Sequence, residues 1–154
     1  VPKLTGERPM QGSTPDSLLA LHDAGYREVA HRLGPGVVLD IGCGVGDQTA
    51  RLAAPDRLVL GVDYSAATIV DSRRRHDDPG MQFAGMNGVQ LGVRGGAIDW
   101  AVSSHIIEHF TNPLRHVAEL ARVLRADGTA FVITPNAPAD FENPFHVYLF
   151  EPDH

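Results

Sequence analysis

The amino-acid sequence predicts an α/β fold, a parallel sheet flanked by helices on both faces. Three observations predict it. Short apolar, β-branched runs alternate with helical patterns along the chain. Glycines follow the first of these runs immediately, as at a tight strand-to-helix turn. The length of 154 residues suits one domain with a single substantial core, and no internal repeat divides it.

Residues 1–13 carry Pro2, Gly6, Pro9 and Gly12 and read as an irregular arm. Thr14-Pro15-Asp16 has the features of a helix start: a capping hydroxyl, a proline in the first turn and an acid near the positive end. Leu18, Leu19, Leu21, Ala24, Tyr26, Val29, Ala30 and Leu33 continue that helix, expected over 14–34, up to Gly34-Pro35-Gly36. Val37-Val38-Leu39-Asp40-Ile41 is a buried strand, and a short helix is expected over 47–54 before Pro55. Residues 57–62 form a second strand, followed by a helix that Ser65 caps and that runs to about His76. Residues 81–84 are a third, weaker strand, and residues 98–103 a fourth. A helix at 114–124 then leads through a turn at Asp127-Gly128 into a fifth strand, 129–134. Ligands of such sheets bind beyond the carboxyl ends of the strands. The chemistry is therefore expected after Ile41, Val62, Ala84, Ser103 and Thr134, in a core spanning 37–134.

Composition narrows the classes. The formal charge is −6, from 19 acidic and 13 basic residues without long runs of one sign. Arg73-Arg74-Arg75 is the one basic cluster and reads as a solvated helix face, so no nucleic-acid partner is expected. A single cysteine, Cys43, excludes an intrachain disulfide and fits a reducing compartment. No apolar stretch is long enough to span a membrane and no secretory core is visible at the start, so a cytoplasmic location is expected.

Asp40-Ile41-Gly42-Cys43-Gly44-Val45-Gly46 occupies the first strand-to-helix turn. A dinucleotide fingerprint would place its third glycine at position 47, but Asp47 stands there and would repel a pyrophosphate. The spacing suits a cofactor without phosphates and with a zwitterionic tail; a plain tight turn is the alternative. Asp63, about twenty residues on at the end of the second strand, can accept hydrogen bonds from both hydroxyls of a ribose, or simply cap a helix.

Val38-Leu39-Asp40-Ile41-Gly42-Cys43-Gly44-Val45-Gly46 resembles motif I of class I S-adenosylmethionine-dependent methyltransferases, and Gly61-Val62-Asp63-Tyr64-Ser65 resembles their second motif. Ser103-Ser104-His105-Ile106-Ile107-Glu108-His109 is similar to the segment after strand four in the ubiquinone/menaquinone-biosynthesis-type (methyltransferase type 11) subgroup. Leu120-Ala121-Arg122-Val123-Leu124-Arg125-Ala126-Asp127-Gly128-Thr129 matches the helix and turn before the family's strand five. Thr134-Pro135-Asn136 and Asn143-Pro144-Phe145-His146-Val147 also occur in relatives. The arm Leu4-Thr5-Gly6-Glu7-Arg8 is similar to that of actinobacterial members proposed to act on glycans.

The resemblance implies a Rossmann-like sheet and S-adenosyl-L-methionine as cofactor. It implies that Gly42, Cys43 and Gly44 line the methionine moiety, with Asp40 orienting the loop or meeting the amino group. Asp63 would hold the ribose and Tyr64 pack on the adenine. Met86 and Gly88 would border the base, and Ser104 would lie near the methionine end. Asn87 stands where the family often has an Asp that accepts from the adenine amino group; it keeps an acceptor oxygen but loses the charge. The family's strand order is 3-2-1-4-5-7-6, so this chain is expected to show 3-2-1-4-5 without strands 6 and 7. Residues 135–154 would then be a substrate-side loop, with the polypeptide continuing beyond position 154. The uncharged strand 129–134 would otherwise be an apolar edge open to self-association.

His105-Ile106-Ile107-Glu108-His109 also matches an inverted zinc-protease motif, which needs both histidines one helical turn apart. Asn112-Pro113 soon breaks the segment, so no metal is expected from it. Glu108 and His109 form a candidate general-base pair, and His146 is a second candidate from the substrate side. Each histidine has a structural alternative, bonding a loop. The expected activity is methyl transfer to a small-molecule, glycan or lipid acceptor, at oxygen because histidines are at hand. The rival readings are a non-catalytic cofactor-binding or partner-binding module and a nicotinamide oxidoreductase, the latter disfavoured by the glycine spacing.

Overall fold

The computed structural model describes residues 15–135, 146–148, 150 and 151. Its centre is a five-stranded parallel sheet in the order β3-β2-β1-β4-β5. The strands are β1 (Gly36–Ile41), β2 (Arg57–Asp63), β3 (Met81–Gly85), β4 (Ile98–Ser104) and β5 (Leu124–Ile133). The helices are α1 (Asp16–Arg32), α2 (Ala66–Arg75) and α3 (Pro113–Val123). The fold class and strand order agree with the expectation from the sequence.

Side-chain alternation along β1 divides the core in two. Val38 joins Tyr26 and Val29 of α1, Leu33 just past it, and Ile69 of α2 on one face of the sheet. Leu39 and Ile41 join Leu120 and Val123 of α3 on the other. All of these are at most 6 % exposed, so both faces of the central strand are dry. Arg57 fixes the lower end, donating to the carbonyls of Leu33, Gly34 and Leu52. Three loop carbonyls thus share one guanidinium, satisfying acceptors that burial would leave without water.

Three local expectations change. The helix expected over 47–54 is only a four-residue 3₁₀ turn, Thr49–Leu52, because Gly46 (φ +87°) precedes it and Pro55 closes the space for an α-helical nucleus. The Asp127-Gly128 turn is instead part of β5, which begins at Leu124. The β4–β5 register steps from Ile98↔Leu124 to Trp100↔Thr129, so residues 125–128 bulge from the ladder, where Arg125 reaches Asp99. Pro15 rather than Thr14 stands at the α1 N-cap, with no side-chain cap bond; Thr14 and the arm 1–13 lie outside the described residues. Ser65 caps α2 as expected, accepting from Thr68 N.

β5 pairs only with β4 among the described residues, and Val132 on it is 44 % exposed. No described helix is long and apolar enough to cross a membrane.

Candidate functional site

A cleft of about 450 Å³ opens at the carboxyl ends of the strands. The register creates it. β1 and β2 run side by side to Ile41↔Val62, so Gly42, just past β1, and Asp63, the last residue of β2, are neighbours. β4 runs on the other side of β1, Ile41↔Ser103, and sends Ser104 and His105 toward the same space. The strand order reverses around β1, which is where open α/β sheets bind ligands.

The glycine loop is held from below. Gly42 N and Cys43 N both donate to Val62 O, folding the chain sharply back over the end of β2. Gly42 has φ +81°, and a Cβ there would lie 2.8 Å from Ile106 Cγ2. Gly44 has φ +54°, and a Cβ there would meet nothing within 4 Å, since the space above it is the cleft. Only glycine serves both demands, left-handed backbone and close approach.

Asp40 lies beneath this loop, fully buried, and not on the cleft wall. It accepts from Tyr26 Oη at 3.0 Å and from Thr49 Oγ1 at 2.6 Å, tying the loop's first residue to α1 and to the 3₁₀ turn. Burial pushes its carboxyl up from 3.8 to about 6, against those two donors. Burial and then the Asp40 charge hold the Tyr26 phenol protonated. Of the two roles the resemblance implied for Asp40, the placement suits orienting the loop.

The other expected cofactor residues, Gly42, Cys43, Gly44, Asp63, Tyr64, Met86, Asn87, Gly88 and Ser104, all line the cleft. Asp63 is buried on the cleft wall, its Oδ1 accepting from Ser65 N at 2.8 Å; Ser65 rather than Asp63 is the cap of α2. Met86 N donates to Asp63 O, which sets the 86–88 turn against the end of β2. His116 of α3 anchors that turn from the far side. Its Nδ1 lies 2.7 Å from Gly88 O, an acceptor only, so Nδ1 carries the hydrogen; Nε2 accepts from Ser103 Oγ at 2.8 Å. Burial lowers its pKa, in keeping with this neutral tautomer.

Ser104 Oγ is buried beside the Tyr26 hydroxyl and makes no hydrogen bond of normal geometry with any described residue. A polar ligand in the cleft would satisfy it. The cleft volume, the glycine cradle open above Gly44, the acid at the end of β2 and this orphaned hydroxyl fit a nucleoside with an amino-acid tail. They do not fit a dinucleotide. No helix N-terminus follows the loop to hold a pyrophosphate, and Asp47 stands on the wall.

The candidate proton-handling groups gather at one end. His109 lines the cleft; Glu108 and His146 lie behind it. Glu108 O accepts from Val147 N and Tyr148 N, which brings His146 back across the sequence to the 3₁₀ turn Ile107–His109. The His109 and His146 rings meet edge to face at 4.7 Å. Glu108 is 1 % exposed; its Oε2 accepts from Thr134 Oγ1 at 3.1 Å. Burial pushes its carboxyl above the usual range, against the pull of Thr134 and of His109 and His146.

Sequence reasoning missed part of the wall. His22 and Tyr26 of α1 line the cleft, as do His105, Ile106 and Phe110. His22 is buried with its pKa lowered by burial, and its ring lies 4.0 Å from that of His105. His105 takes φ +53°, outside the glycines the one described residue with positive φ, a backbone state that often marks a site. The i, i+4 spacing of His22 and Tyr26 was the available signal, since it puts both on one helix face.

The family described as "Methyltransferase domain" matches residues 39–132. A "Probable S-adenosylmethionine-dependent methyltransferase" of Mycolicibacterium smegmatis is 34 % identical over 150 residues, covering 93 % of this chain and 58 % of that protein. A protein of like name from Mycobacterium tuberculosis is 33 % identical over 150 residues, covering 93 % of this chain and 54 % of that one. The chain thus spans little more than half the length of these relatives. The solved structure of YcgJ from Bacillus subtilis superposes with a TM-score of 0.72 at 20 % identity, over 87 % of this chain and 64 % of that one, a likeness of fold.

Proposed function

The chain belongs to the methyltransferase-domain family, and from that premise we propose that it binds S-adenosyl-L-methionine in the cleft and passes a methyl group to an oxygen acceptor. The observation that carries the reading is the meeting of Gly42 and Asp63 at the Ile41↔Val62 end of the sheet, with Gly44 open above. The acceptor class is a small molecule, a glycan or a lipid.

When bound, the cofactor supplies a methyl group on a sulfonium, already a good leaving group. The chain's own residues bind, orient and exclude water. Asp63 would take the two ribose hydroxyls with charge-assisted bonds. Met86, Asn87 and Gly88 would border the base, with Tyr64 packing on it from the exposed side. Gly42, Cys43 and Gly44 would line the amino-acid tail, and Ser104 would bond its polar end. Asp40 would act through the loop it holds. At the other end His109, backed by Glu108 and His146, would receive the proton of the acceptor hydroxyl.

Titration calorimetry with S-adenosylhomocysteine and with NAD tests the cofactor reading. Micromolar-scale binding of the first and none of the second is expected; tighter binding of NAD would overturn it. Transfer of labelled methyl to hydroxyl acceptors, with the modified atom assigned by NMR, tests the oxygen reading. Label found on carbon or nitrogen alone would refute that part.

A further inference from the structure

Glu108 presents an unusual combination. It is 1 % exposed, and its Oε1 has no hydrogen-bond partner among the described residues. A buried carboxylate oxygen left without a partner is destabilising, and native folds rarely keep one without a reason. Two histidine nitrogens stop short of it: His105 Nδ1 is 3.7 Å and His146 Nε2 is 4.0 Å away, both beyond hydrogen-bonding range. The carboxylate is therefore surrounded by imidazole nitrogens at distances that suit something placed between them.

One atom each of Glu108, His109 and His146 lies within 4.8 Å of the other two. Three points so spaced share a centre no more than about 2.8 Å from each, so shifts of about 0.7 Å per side chain reach the 2.0–2.1 Å bonds of zinc to nitrogen and oxygen. The cluster is held together by backbone. Val147 N and Tyr148 N both bond Glu108 O, so His146 is pinned beside the carboxylate rather than passing by chance. Thr134 Oγ1 holds Oε2 from outside the cluster, as an outer partner orients a ligating carboxylate.

We propose that Glu108, His109 and His146 form a binding site for a divalent transition-metal ion at the acceptor end of the cleft. Two imidazoles and a carboxylate are the ligand set of open zinc and other borderline-metal sites, which leave a position for an oxygen ligand. This differs from the zinc-protease pattern in the sequence, because the distant His146 replaces His105. His109 also lines the cleft, so an ion held by it stands at the cleft wall. Its open position would hold the hydroxyl oxygen of the acceptor and make it more acidic, so that its proton passes to solvent and His109 serves as a ligand rather than as the base while the ion is bound; this last step alone rests on the methyl-transfer reading.

The test is equilibrium dialysis of the purified protein against Zn²⁺, with cobalt substitution read by its visible absorption and S-adenosylhomocysteine binding measured in parallel. One tight equivalent of zinc is expected, with a cobalt spectrum of four or five ligands. Glu108→Gln and His146→Ala should each weaken zinc by at least about 100-fold, while exposed His31→Ala leaves it unchanged. His146→Ala matters most, because it leaves the buried carboxylate in place should Glu108→Gln fail to fold. Absence of stoichiometric zinc binding by the folded protein would overturn the site, as would zinc binding that survives His146→Ala. Zinc binding as described without S-adenosylhomocysteine binding would uphold the site and refute the cofactor reading instead.

Discussion

Replacing Asp40 by Asn removes a titrating group from the dry centre of the sheet, and the consequence can be worked out in sign and size. The Tyr26 and Thr49 hydroxyls favour the ionised carboxylate, yet complete loss of water disfavours it more, and the carboxyl is held at about 6 against 3.8 when free. Between those two values the folded protein keeps a proton that the unfolded chain has released. Stability contributed by this group is therefore full below 3.8 and is lost as pH rises through about 6. A gap of about two units corresponds to about 3 kcal/mol. Asparagine is nearly isosteric, keeps a carbonyl acceptor and does not titrate. Urea denaturation of both proteins from about pH 3.5 to about pH 7.5 gives the stability difference at each pH. Glu108, raised by burial, and Glu119, drawn down to about 2 chiefly by Arg122, titrate in both proteins and cancel in that difference. Relative to the variant, the wild type should lose about 3 kcal/mol across the window. A difference that stays flat, or that grows in the wild type's favour as pH rises, would refute the reasoning.

Two further outcomes are expected. Asp63→Ala should weaken S-adenosylhomocysteine by about 2–4 kcal/mol in calorimetry, with circular dichroism unchanged; an unaltered dissociation constant would remove Asp63 from the ribose. Val132→Lys, placed on an edge that pairs with nothing described, should lower any concentration-dependent association in analytical sizing; association undiminished by the lysine would show that this edge is not responsible.

The strands were legible because Val37-Val38-Leu39 and Leu58-Val59-Leu60 are short apolar, β-branched runs, and Val38, Leu39 and Val59 within them are buried. The Gly42–Asp63 pair was legible because parallel strands of like length bring their ends together. The failures have physical causes. The helix expected after Gly46 is too short to nucleate between a left-handed glycine and Pro55, a balance that residue pattern alone does not weigh. The 125–128 bulge depends on Asp99, a residue on the neighbouring strand, reaching Arg125. His22 and Tyr26 were readable as one helix face, but not what that face covers. His116 looked like any helical histidine until Ser103 and Gly88 O were found on its two nitrogens. The Glu108–His146 approach joins residues far apart in sequence through two backbone bonds, and no spacing rule announces it.

The reversal of strand order around β1 has a consequence for how the protein can vary. From β1 the chain builds outward through β2 and β3, and that wing supplies Asp63, Tyr64, Met86, Asn87 and Gly88; it then returns and builds the other way, supplying Ser104, His105 and His109. The two walls of the cleft are thus successive, nearly separate stretches of polypeptide, joined mainly through the glycine loop, α1 and His116. On the proposed reading, changes on the later stretch would redirect which acceptor is chosen while the earlier stretch keeps the cofactor. Energetic effects of substitutions on opposite wings should therefore sum, and departures from additivity should concentrate at His116, which bonds Ser103 on one wing and Gly88 O on the other.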